Sequence, residues 1–415
     1  MADSPSVAIT GAGVLASNGL GRRAYWSALE AGESGVRHLD RFDPEPFPCR
    51  IAGQLWDFDP ADFIPRRDVR RWHRHVHQAV AAARLAVDDA ELAAAGYEAE
   101  RIATGFGTSV GSPNEAWAEE LQAFATGGYK RVSRTASSAF SGHAATIHVT
   151  VDYGFRGPAI TIASGCTTGL DVLLWGVEQI RRGKADAALV GATESPIFPM
   201  SFAASCAMGI LSQRNDDPEG AMRPYDAGRD GIVLAEGAVA LVLEREDRAR
   251  ARGAMILAEV AGMGSAAEGL NPLTLESEGA AMARAITAAL ADARASPDDI
   301  DYIQSHGVAL SVYDICETNA FKRALGRRAY RIPVSSVKSM TGQAYAAGGL
   351  LGAAGALLAL HEGVIPPTLN LESPADGCDL DYVPQRARFN DVSAALTVAM
   401  SFGGTHTAAV LRRAK

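Results

Sequence analysis

The chain has 415 residues, of which 47% are hydrophobic and 21% are charged, and this balance is typical of a folded globular protein with two domains of ordinary size. Its formal net charge of -9 argues against general affinity for nucleic acid, which needs a basic surface. We expect a cytoplasmic protein, because no apolar run is long enough to cross a bilayer and the first residues lack a signal-peptide pattern. The five cysteines are widely spaced with no C-x-x-C pair, so they predict neither a disulfide framework nor a metal site.

Short β-type runs alternate with helical stretches along the whole chain, which predicts α/β layers around mostly buried sheets. The runs in the first part are SVAITGAGVL, IATGFGTSV, AITIASG, DAALVGATE and AVALVLE. The same alternation returns later with MILAEVAGMG, IDYIQSHG, RIPVSSVKS and ALTVAMSFGG. We therefore predict two similar halves, residues 1–250 and 251–415, which meet in the charged, apolar-poor segment 245–254.

The first β-type run contains GAGVLA, which matches the G-x-G-x-x-A pattern of dinucleotide-binding turns. No acidic residue ends a second strand at the expected distance of roughly 20 residues. Because the chain has 42 glycines, we interpret these residues as a tight strand-to-helix turn that binds no nucleotide.

Cys166 lies between a β-branched run and a helical stretch, in TIASGCTTGLD. Apolar residues then recur at helical spacing as far as the basic RRGK segment, so we place Cys166 at a helix N-terminus. The unpaired N–H groups and the dipole of that terminus favour a thiolate, which would make Cys166 a nucleophile. We expect it to be the most readily alkylated of the five thiols at neutral pH. The alternative is a buried structural cysteine, because a nucleophile also needs partners.

Candidate partners for Cys166 lie in glycine-rich turns that follow strands of the second half. SHGVALSVYDICE supplies His306, and SSVKSMTGQAYAAGG supplies Lys338 and Gln343. An isolated histidine is more often a satisfied core or surface residue than a catalytic group. The case for a site therefore depends on these residues occurring together.

Several stretches taken together resemble the elongating β-ketoacyl synthases of dissociated fatty-acid and polyketide systems. In the family's order, the matching stretches are VAITGAGVL, RIAGQLWDFDPADF, GFGTSVG, YGFRGPAITIASGCTTGLD, LSQRNDDPEGAMRPYDAGRDGIVLAEGA, HGVALSVYDICE, VSSVKSMTGQ and SFGGTHTAAVL. The resemblance covers nearly the whole chain. It implies the thiolase-like fold, in which two similar halves form α-β-α-β-α layers.

The resemblance also implies roles for single residues. Cys166 would accept the acyl group, His306 would be the first active-site histidine, and Lys338 would be the motif lysine. Phe402 matches the gating phenylalanine, whose backbone N–H joins that of Cys166 in an oxyanion hole. Gly403 follows in the same turn and is a candidate substrate contact.

Several positions depart from the family's pattern. Where the family has a second active-site histidine, in K(S/N)xxGH, this chain has Gln343, whose amide can donate a hydrogen bond but cannot become cationic. Val308 and Leu310 replace two threonines that usually hold the pantetheine arm, and Ser401 replaces the glycine before the gating phenylalanine. Val110 matches a residue of the acyl pocket, where a small side chain leaves room for a longer or bulkier acyl group.

Three functions fit these residues. The first is a condensing enzyme that joins an acyl group on Cys166 to a malonyl extender on acyl carrier protein, with Gln343 in place of a histidine. The second is an acyltransferase that passes the acyl group to another nucleophile, such as an alcohol or an amine. The third is a non-catalytic subunit like a chain-length factor, which the presence of Cys166 and His306 argues against.

The resemblance implies an acyl carrier protein that delivers phosphopantetheine, a homodimer or a heterodimer with a ketosynthase-like subunit, and no bound cofactor. The family docks acidic carrier proteins on a basic patch that includes RRDVRRWHRH of this chain. Arg66, Arg70 and Arg71 are therefore candidates for carrier docking. The alternative for this segment is a solvated helix face, and that is how we interpret its histidines, which are His73, His75 and His77.

Overall fold

The computed structural model describes residues 5–110, 113–139 and 141–414. Its strands are β1 (Val7–Ala16), β2 (Gly19–Leu20), β3 (Arg37–His38), β4 (Ile51–Ala52), β5 (Ile102–Gly107), β6 (Ala159–Ile162), β7 (Ala187–Glu194), β8 (Gly237–Arg245), β9 (Ala258–Ala267), β10 (Tyr302–Gln304), β11 (Val334–Ser335), β12 (Val364–Ile365), β13 (Arg388–Phe389), β14 (Ala394–Ser401) and β15 (Thr405–Arg412). Its helices are α1 (Arg22–Ala31), α2 (Arg66–Val69), α3 (Arg74–Asp89), α4 (Pro113–Gly127), α5 (Ala136–Ala139), α6 (Ala144–Tyr153), α7 (Thr168–Arg181), α8 (Pro199–Ala207), α9 (Glu246–Ala251), α10 (Ala280–Asp292), α11 (Ser311–Leu325), α12 (Lys338–Thr341) and α13 (Tyr345–Glu362). Among the helices so described, none combines the length and apolar character that a bilayer span requires.

Each half of the described chain forms a sheet, and the two sheets have the same strand order. The first runs β6-β5-β7-β8-β1 and the second β11-β10-β14-β15-β9. In both sheets the first two pairings are parallel and the last two are antiparallel. Strands β1 and β9 join the sheets at their edges. The repeat confirms the prediction of two similar α/β halves, whereas the boundary between residues 250 and 251, which falls within α9, stays a prediction.

Two helices form the layer between the sheets. Helix α13 packs on β10 and β14 of one sheet and on β7 and β8 of the other, and it crosses α7, which packs on β5 and β7. The side chains of α13 are buried from Ala346 to Leu360, as expected for a helix without a solvent face. Outside the sheets, α3 and α6 cover the first, and α10, with α11 beside it, covers the second. These are the α-β-α-β-α layers that the resemblance implied.

Glycines on the first strand of each half let a helix pack directly on the strand. Gly13 lies inside β1, and a Cβ atom there would overlap the carbonyl oxygen of Ala82 in α3. Gly264 has the same relation to α10, because its Cβ atom would overlap the carbonyl oxygen of Ala285. The prediction of a strand-to-helix turn at GAGVLA is therefore wrong. Its glycines are strand residues whose missing side chains make room for a helix backbone.

Gly13→Ala and Gly264→Ala should each destabilise the fold, because the added methyl group meets a helix main chain that is itself tightly packed. We expect each substitution to lower the free energy of unfolding by about 1–3 kcal/mol, measured by urea denaturation. Gly142→Ala is the matched control, because a Cβ atom there meets no atom within 4 Å. Its effect should stay within about 0.5 kcal/mol. Equal effects at the three positions would contradict the close-packing assignment.

Candidate active site

Cys166 lies in the turn between β6 and α7. It belongs to the 3-10 turn Gly165–Thr167, and α7 begins at the next residue. Burial raises the pKa of the Cys166 thiol to about 12, although the Lys338 ammonium and the backbone N–H of Phe402 act to lower it. The predicted helix N-terminus is present, but burial outweighs the groups that favour a thiolate. The thiol is therefore protonated in the resting site.

A glycine in the first turn of α7 sets the distance between Cys166 and α13. A Cβ atom at Gly169 would come within 2.9 Å of the Ala346 carbonyl oxygen and of the Leu350 side chain. The two helices can therefore meet at their N-terminal ends. Gln343, which precedes α13, places its Nε2 3.4 Å from the Sγ of Cys166 and donates to it.

Gln343 is held by its main chain. Its N–H donates to the Val233 carbonyl at 2.8 Å, and its own carbonyl accepts from the Ala235 N–H at 3.0 Å. The side chain is buried, and its Oε1 has no hydrogen-bond partner among the described residues. Because buried polar atoms are normally paired, this oxygen is an exception among the polar atoms of the described residues.

The loop that carries His306 follows β10 and is tied to α11 by two buried carboxylates. The N–H groups of His306 and Gly307 donate to Glu317 at 2.9 and 2.6 Å. The N–H of Val308 donates to Asp314 at 3.1 Å. Burial raises the pKa of both carboxyl groups, and the N–H donors act against that rise. These hydrogen bonds fix the main-chain path of the loop.

The His306 imidazole is buried with its tautomer set by the main chain. The Met400 N–H donates to Nδ1 at 3.3 Å, so the proton of the neutral ring lies on Nε2. Burial and the positive charge of Lys338 lower the pKa of His306 well below its ordinary value, which keeps the ring neutral. Nε2 has no partner among the described residues. The Nε2–H of His306 is therefore a buried donor that the described residues leave unpaired.

The turn between β14 and β15 lies against Cys166. The backbone N–H of Phe402 lies close enough to the Cys166 thiol to lower its pKa, and its place in an oxyanion hole stays a prediction. The hydroxyl of Ser401 accepts the N–H of Cys166 at 3.1 Å. Gly403 has a φ of +84°, a left-handed conformation that favours glycine, and it supplies the turn itself.

The reacting groups open into a cavity of about 640 Å³. The sequence-predicted site residues that line this cavity are Val110, Cys166, His306, Val308, Leu310, Gln343, Ser401 and Phe402. Lys338 and Gly403 are not among the described residues of its wall. Lys338 lies behind His306 and donates from Nζ to the His306 carbonyl at 2.5 Å. The structure thus brings the predicted residues together, with these two as supports of the cavity.

Large apolar side chains dominate the rest of the cavity wall. Several of them are also exposed at the protein surface, among them Trp117, Leu121, Met200 and Met208. Contiguous exposed apolar surface is typical of a contact with another protein or a ligand. The outer wall of this cavity is therefore open to be covered by a further subunit.

The basic segment at α2 contains arginines of two kinds. Arg66, Arg70 and Arg71 are exposed, as carrier docking would require. Arg74 instead forms a salt bridge from Nε to the fully buried Glu236 at 2.6 Å. The surface charge of the segment therefore lies on these three arginines and on Arg67, which is also exposed and forms a salt bridge with Asp68.

The histidines of the same segment differ from the prediction. His75 and His77 are buried at the start of α3, and burial lowers their pKa values to about 3 and about 4. His77 Nε2 lies 3.1 Å from the Val69 carbonyl. Their interpretation as a solvated face is wrong, because α3 turns this side of the segment towards the core.

Two family models match the chain. The model of the β-ketoacyl synthase N-terminal domain matches residues 4–249, and that of the C-terminal domain matches residues 257–372. The chain belongs to the β-ketoacyl synthase family. Membership accounts for the thiolase-like fold.

Relatives and solved structures of β-ketoacyl synthases cover the whole chain. It is 42% identical to the tetracenomycin polyketide synthase ketoacyl synthase alpha subunit of Streptomyces glaucescens, over 99% of this chain and 97% of that protein. A structure of a type II polyketide synthase acyl-carrier protein in complex with its ketosynthase bound to the hexaketide has a TM-score of 0.92 at 32% identity, covering 99% of this chain and 100% of that one. The ishigamide ketosynthase/chain length factor gives the same values.

Sequence reasoning on this β-ketoacyl synthase named most of the cavity residues discussed above but missed groups that act on them. Glu194, at the end of β7, accepts the N–H groups of Ser109 and Val110 and raises the pKa of Cys166. Its place at the end of a buried strand was a signal that could have been used. Ala309 has a φ of +61°, which costs an alanine about 1–2 kcal/mol relative to glycine. Nothing in the chain indicated that strain.

Alkylation of Cys166 by iodoacetamide should accelerate about tenfold per pH unit between about pH 7 and 9, because a thiol whose pKa is about 12 gains thiolate in that proportion. The measurement is peptide mass spectrometry of Cys166 after timed alkylation, with the half-exposed Cys206 as the internal comparison. A rate that levels off near neutral pH would contradict the raised pKa and favour the helix terminus as the dominant influence. The same digests rank the five thiols.

Proposed function

We propose that this β-ketoacyl synthase is a condensing enzyme of a dissociated fatty-acid or polyketide pathway, with Cys166, His306 and Gln343 as its catalytic residues. The observation that carries the proposal is that Cys166, His306 and Gln343 line one mostly apolar cavity, with Gln343 Nε2 3.4 Å from the Sγ of Cys166. A nucleophile beside two hydrogen-bond donors, away from water, supports acyl transfer followed by enolate chemistry. The nucleophile comes from the proposed half 1–250 and the donors from 251–415.

In the loading step, Cys166 takes an acyl group from a phosphopantetheine thioester delivered by a carrier protein. Sγ attacks the carbonyl carbon, the bond from that carbon to the pantetheine sulfur breaks, and the thiol proton leaves on the pantetheine thiol. Because burial keeps Cys166 protonated, the proton must leave during the attack. The N–H of Phe402, which acts on the Cys166 thiol, is the donor we assign to the oxyanion that develops beside it.

In the condensing step, a malonyl thioester loses CO2 in the same cavity. The electron pair of the broken C–C bond forms an enolate, whose oxygen accepts hydrogen bonds from His306 and Gln343. The enolate carbon attacks the acyl group and releases the sulfur of Cys166. His306 acts as a neutral donor because its pKa is lowered, and a glutamine amide carries no charge, so we expect slow decarboxylation.

Lys338 is a positioning residue in this mechanism. Its Nζ donates to the His306 carbonyl, and its charge lowers the pKa of both His306 and Cys166. Burial lowers the pKa of Lys338 to about 8, and the Glu317 carboxylate acts against that fall. Lys338 therefore supplies positive charge behind the site without contacting the substrate.

The cavity wall limits how the pantetheine arm can be held. Val308 and Leu310 line the cavity and offer no hydroxyl groups. The arm must then be held by main-chain groups and apolar contacts. Val110 lies on the same wall and leaves space for a long or bulky acyl chain.

A second function is an acyltransferase that delivers the acyl group to a nucleophile other than a malonyl enolate. The hydrogen bond from Gln343 to the sulfur of Cys166 favours it, because this amide contacts the nucleophile in the resting site. A role as a chain-length-factor-like subunit has less support, since Cys166 and His306 are both present and face the cavity.

We further propose an acyl carrier protein and a ketosynthase-like subunit as partners. The matching complex contains an acyl-carrier protein with its ketosynthase, and another matching structure is a ketosynthase/chain length factor. In this chain, the exposed arginines at α2 supply positive charge for an acidic carrier protein. The exposed apolar side chains of the cavity wall, Trp117 and Leu121 among them, supply a surface for a homodimer or heterodimer contact.

Gln343→His should raise malonyl decarboxylation about 100-fold, because it restores an imidazole donor to the enolate. Gln343→Leu, which has no donor, should lower it below wild type. The measurement is CO2 release from malonyl-carrier protein, with acyl loading on Cys166 followed by mass spectrometry in parallel and Cys166→Ala as the unloaded control. Normal loading with background decarboxylation in both Gln343 variants would favour the second function, and wild-type decarboxylation equal to that of Gln343→His would contradict the role of Gln343.

The double variant Arg70→Glu/Arg71→Glu should weaken binding of acyl carrier protein, because it reverses charge on an exposed basic patch. The loss should be largest at low salt and shrink as salt screens the charges. Arg327→Glu/Arg331→Glu is the matched control, since both of these arginines are also exposed. The measurement is a binding isotherm of each variant at two salt concentrations. Equal affinities of the two double variants would favour the alternative interpretation, in which the α2 segment is a solvated helix face without a docking role.

A further inference from the structure

The Ser401 hydroxyl lies where a reacting oxygen would be expected. Its Oγ accepts the main-chain N–H of Cys166 at 3.1 Å, and the side chain is buried in the cavity wall. Acyl transfer at Sγ produces a negative oxygen, and donors that stabilise it must lie about 2.7–3.1 Å from that oxygen. The acceptor position of the Cys166 N–H is one such place. Ser401 already occupies it.

The hydroxyl fits closely into this position. A Cβ atom at Gly165 would overlap the Oγ of Ser401, so the hydroxyl lies directly against the turn that carries the nucleophile. The main chain of Ser401 is fixed on both sides, because it pairs with Thr405 of β15 and its carbonyl accepts the Gly404 N–H at 3.1 Å. Rotation about the Cα–Cβ bond to another staggered rotamer is therefore the simplest motion that removes the hydroxyl.

The main-chain N–H groups of Phe402 and Cys166 thus have different partners in the resting site. The N–H of Phe402 contacts Sγ, whereas the N–H of Cys166 is engaged by a side chain of the protein. We propose that Ser401 is a built-in occupant of the oxyanion hole, which the acyl carbonyl must displace before Cys166 can be acylated. This inference rests on the proposed loading of Cys166, and it assigns to Ser401 control over that step.

The test compares acylation with alkylation of the same sulfur. Acylation by an acyl-N-acetylcysteamine thioester passes through an oxyanion, whereas alkylation by iodoacetamide does not. Ser401→Ala and Ser401→Gly free the Cys166 N–H, so each should raise the single-turnover acylation rate roughly 2- to 10-fold, which is the rate equivalent of one net hydrogen bond. The alkylation rate should not rise, because alkylation does not use the freed N–H of Cys166. Ser401→Thr keeps the hydroxyl and should give no gain in the ratio of acylation to alkylation.

Each outcome separates the inference from the proposed function. If both rates rise together in Ser401→Ala and Ser401→Gly, Ser401 merely restricts access and the inference is overturned. A selective fall in acylation would overturn it too, because the hydroxyl would then be a donor to the oxyanion. If wild type and all three variants are alkylated at Cys166 but never acylated, the proposed function fails, and this inference fails with it.

Discussion

The crossing of α7 and α13 is the contact on which the whole site depends. Gly169 lets the first turns of these buried helices approach within van der Waals distance, which brings Cys166 and Gln343, each just before its helix, into hydrogen-bond contact. A side chain at Gly169 would separate the helices and with them the nucleophile and the amide. The sheets then supply the remaining groups from strand ends, with His306 after β10 and Ser401 at the end of β14.

The repeated topology explains why these particular positions meet. Cys166 follows β6, the third strand in chain order of the first sheet, and Gln343 follows β11, the third of the second sheet, so the thiol and the amide occupy equivalent places in the two halves. Glu194 and Ser401 likewise end the fourth strand of each half, and both act on Cys166, one through its charge and the other through its N–H. Equivalent strand ends of the two halves therefore carry different functional groups.

Most of the fold and many of the candidate site residues could be predicted from the sequence, because alternating strands and helices, helical spacing and glycine-rich turns are local patterns. It indicated two α/β halves, a helix N-terminus at Cys166 and partner residues in turns after strands. It could not show what depends on distant packing. The glycine pair of GAGVLA looked like a turn because the helix that packs against it comes some seventy residues later in the chain. The burial that raises the pKa of Cys166 likewise depends on distant residues and cannot be predicted from its sequence neighbours. Ser401 was visible as a departure, but not as a partner of Cys166.

The tautomer of His306 does not depend on which side chains β14 carries. Its tautomer is set by a hydrogen bond from the main-chain N–H of Met400, and every residue except proline supplies that N–H. The side chains of β14 and its turn can therefore vary, as Ser401 does, without moving the proton from Nε2 to Nδ1. Single substitutions in this turn can therefore change the surroundings of Cys166 while the hydrogen-bond donor atom of His306 stays the same.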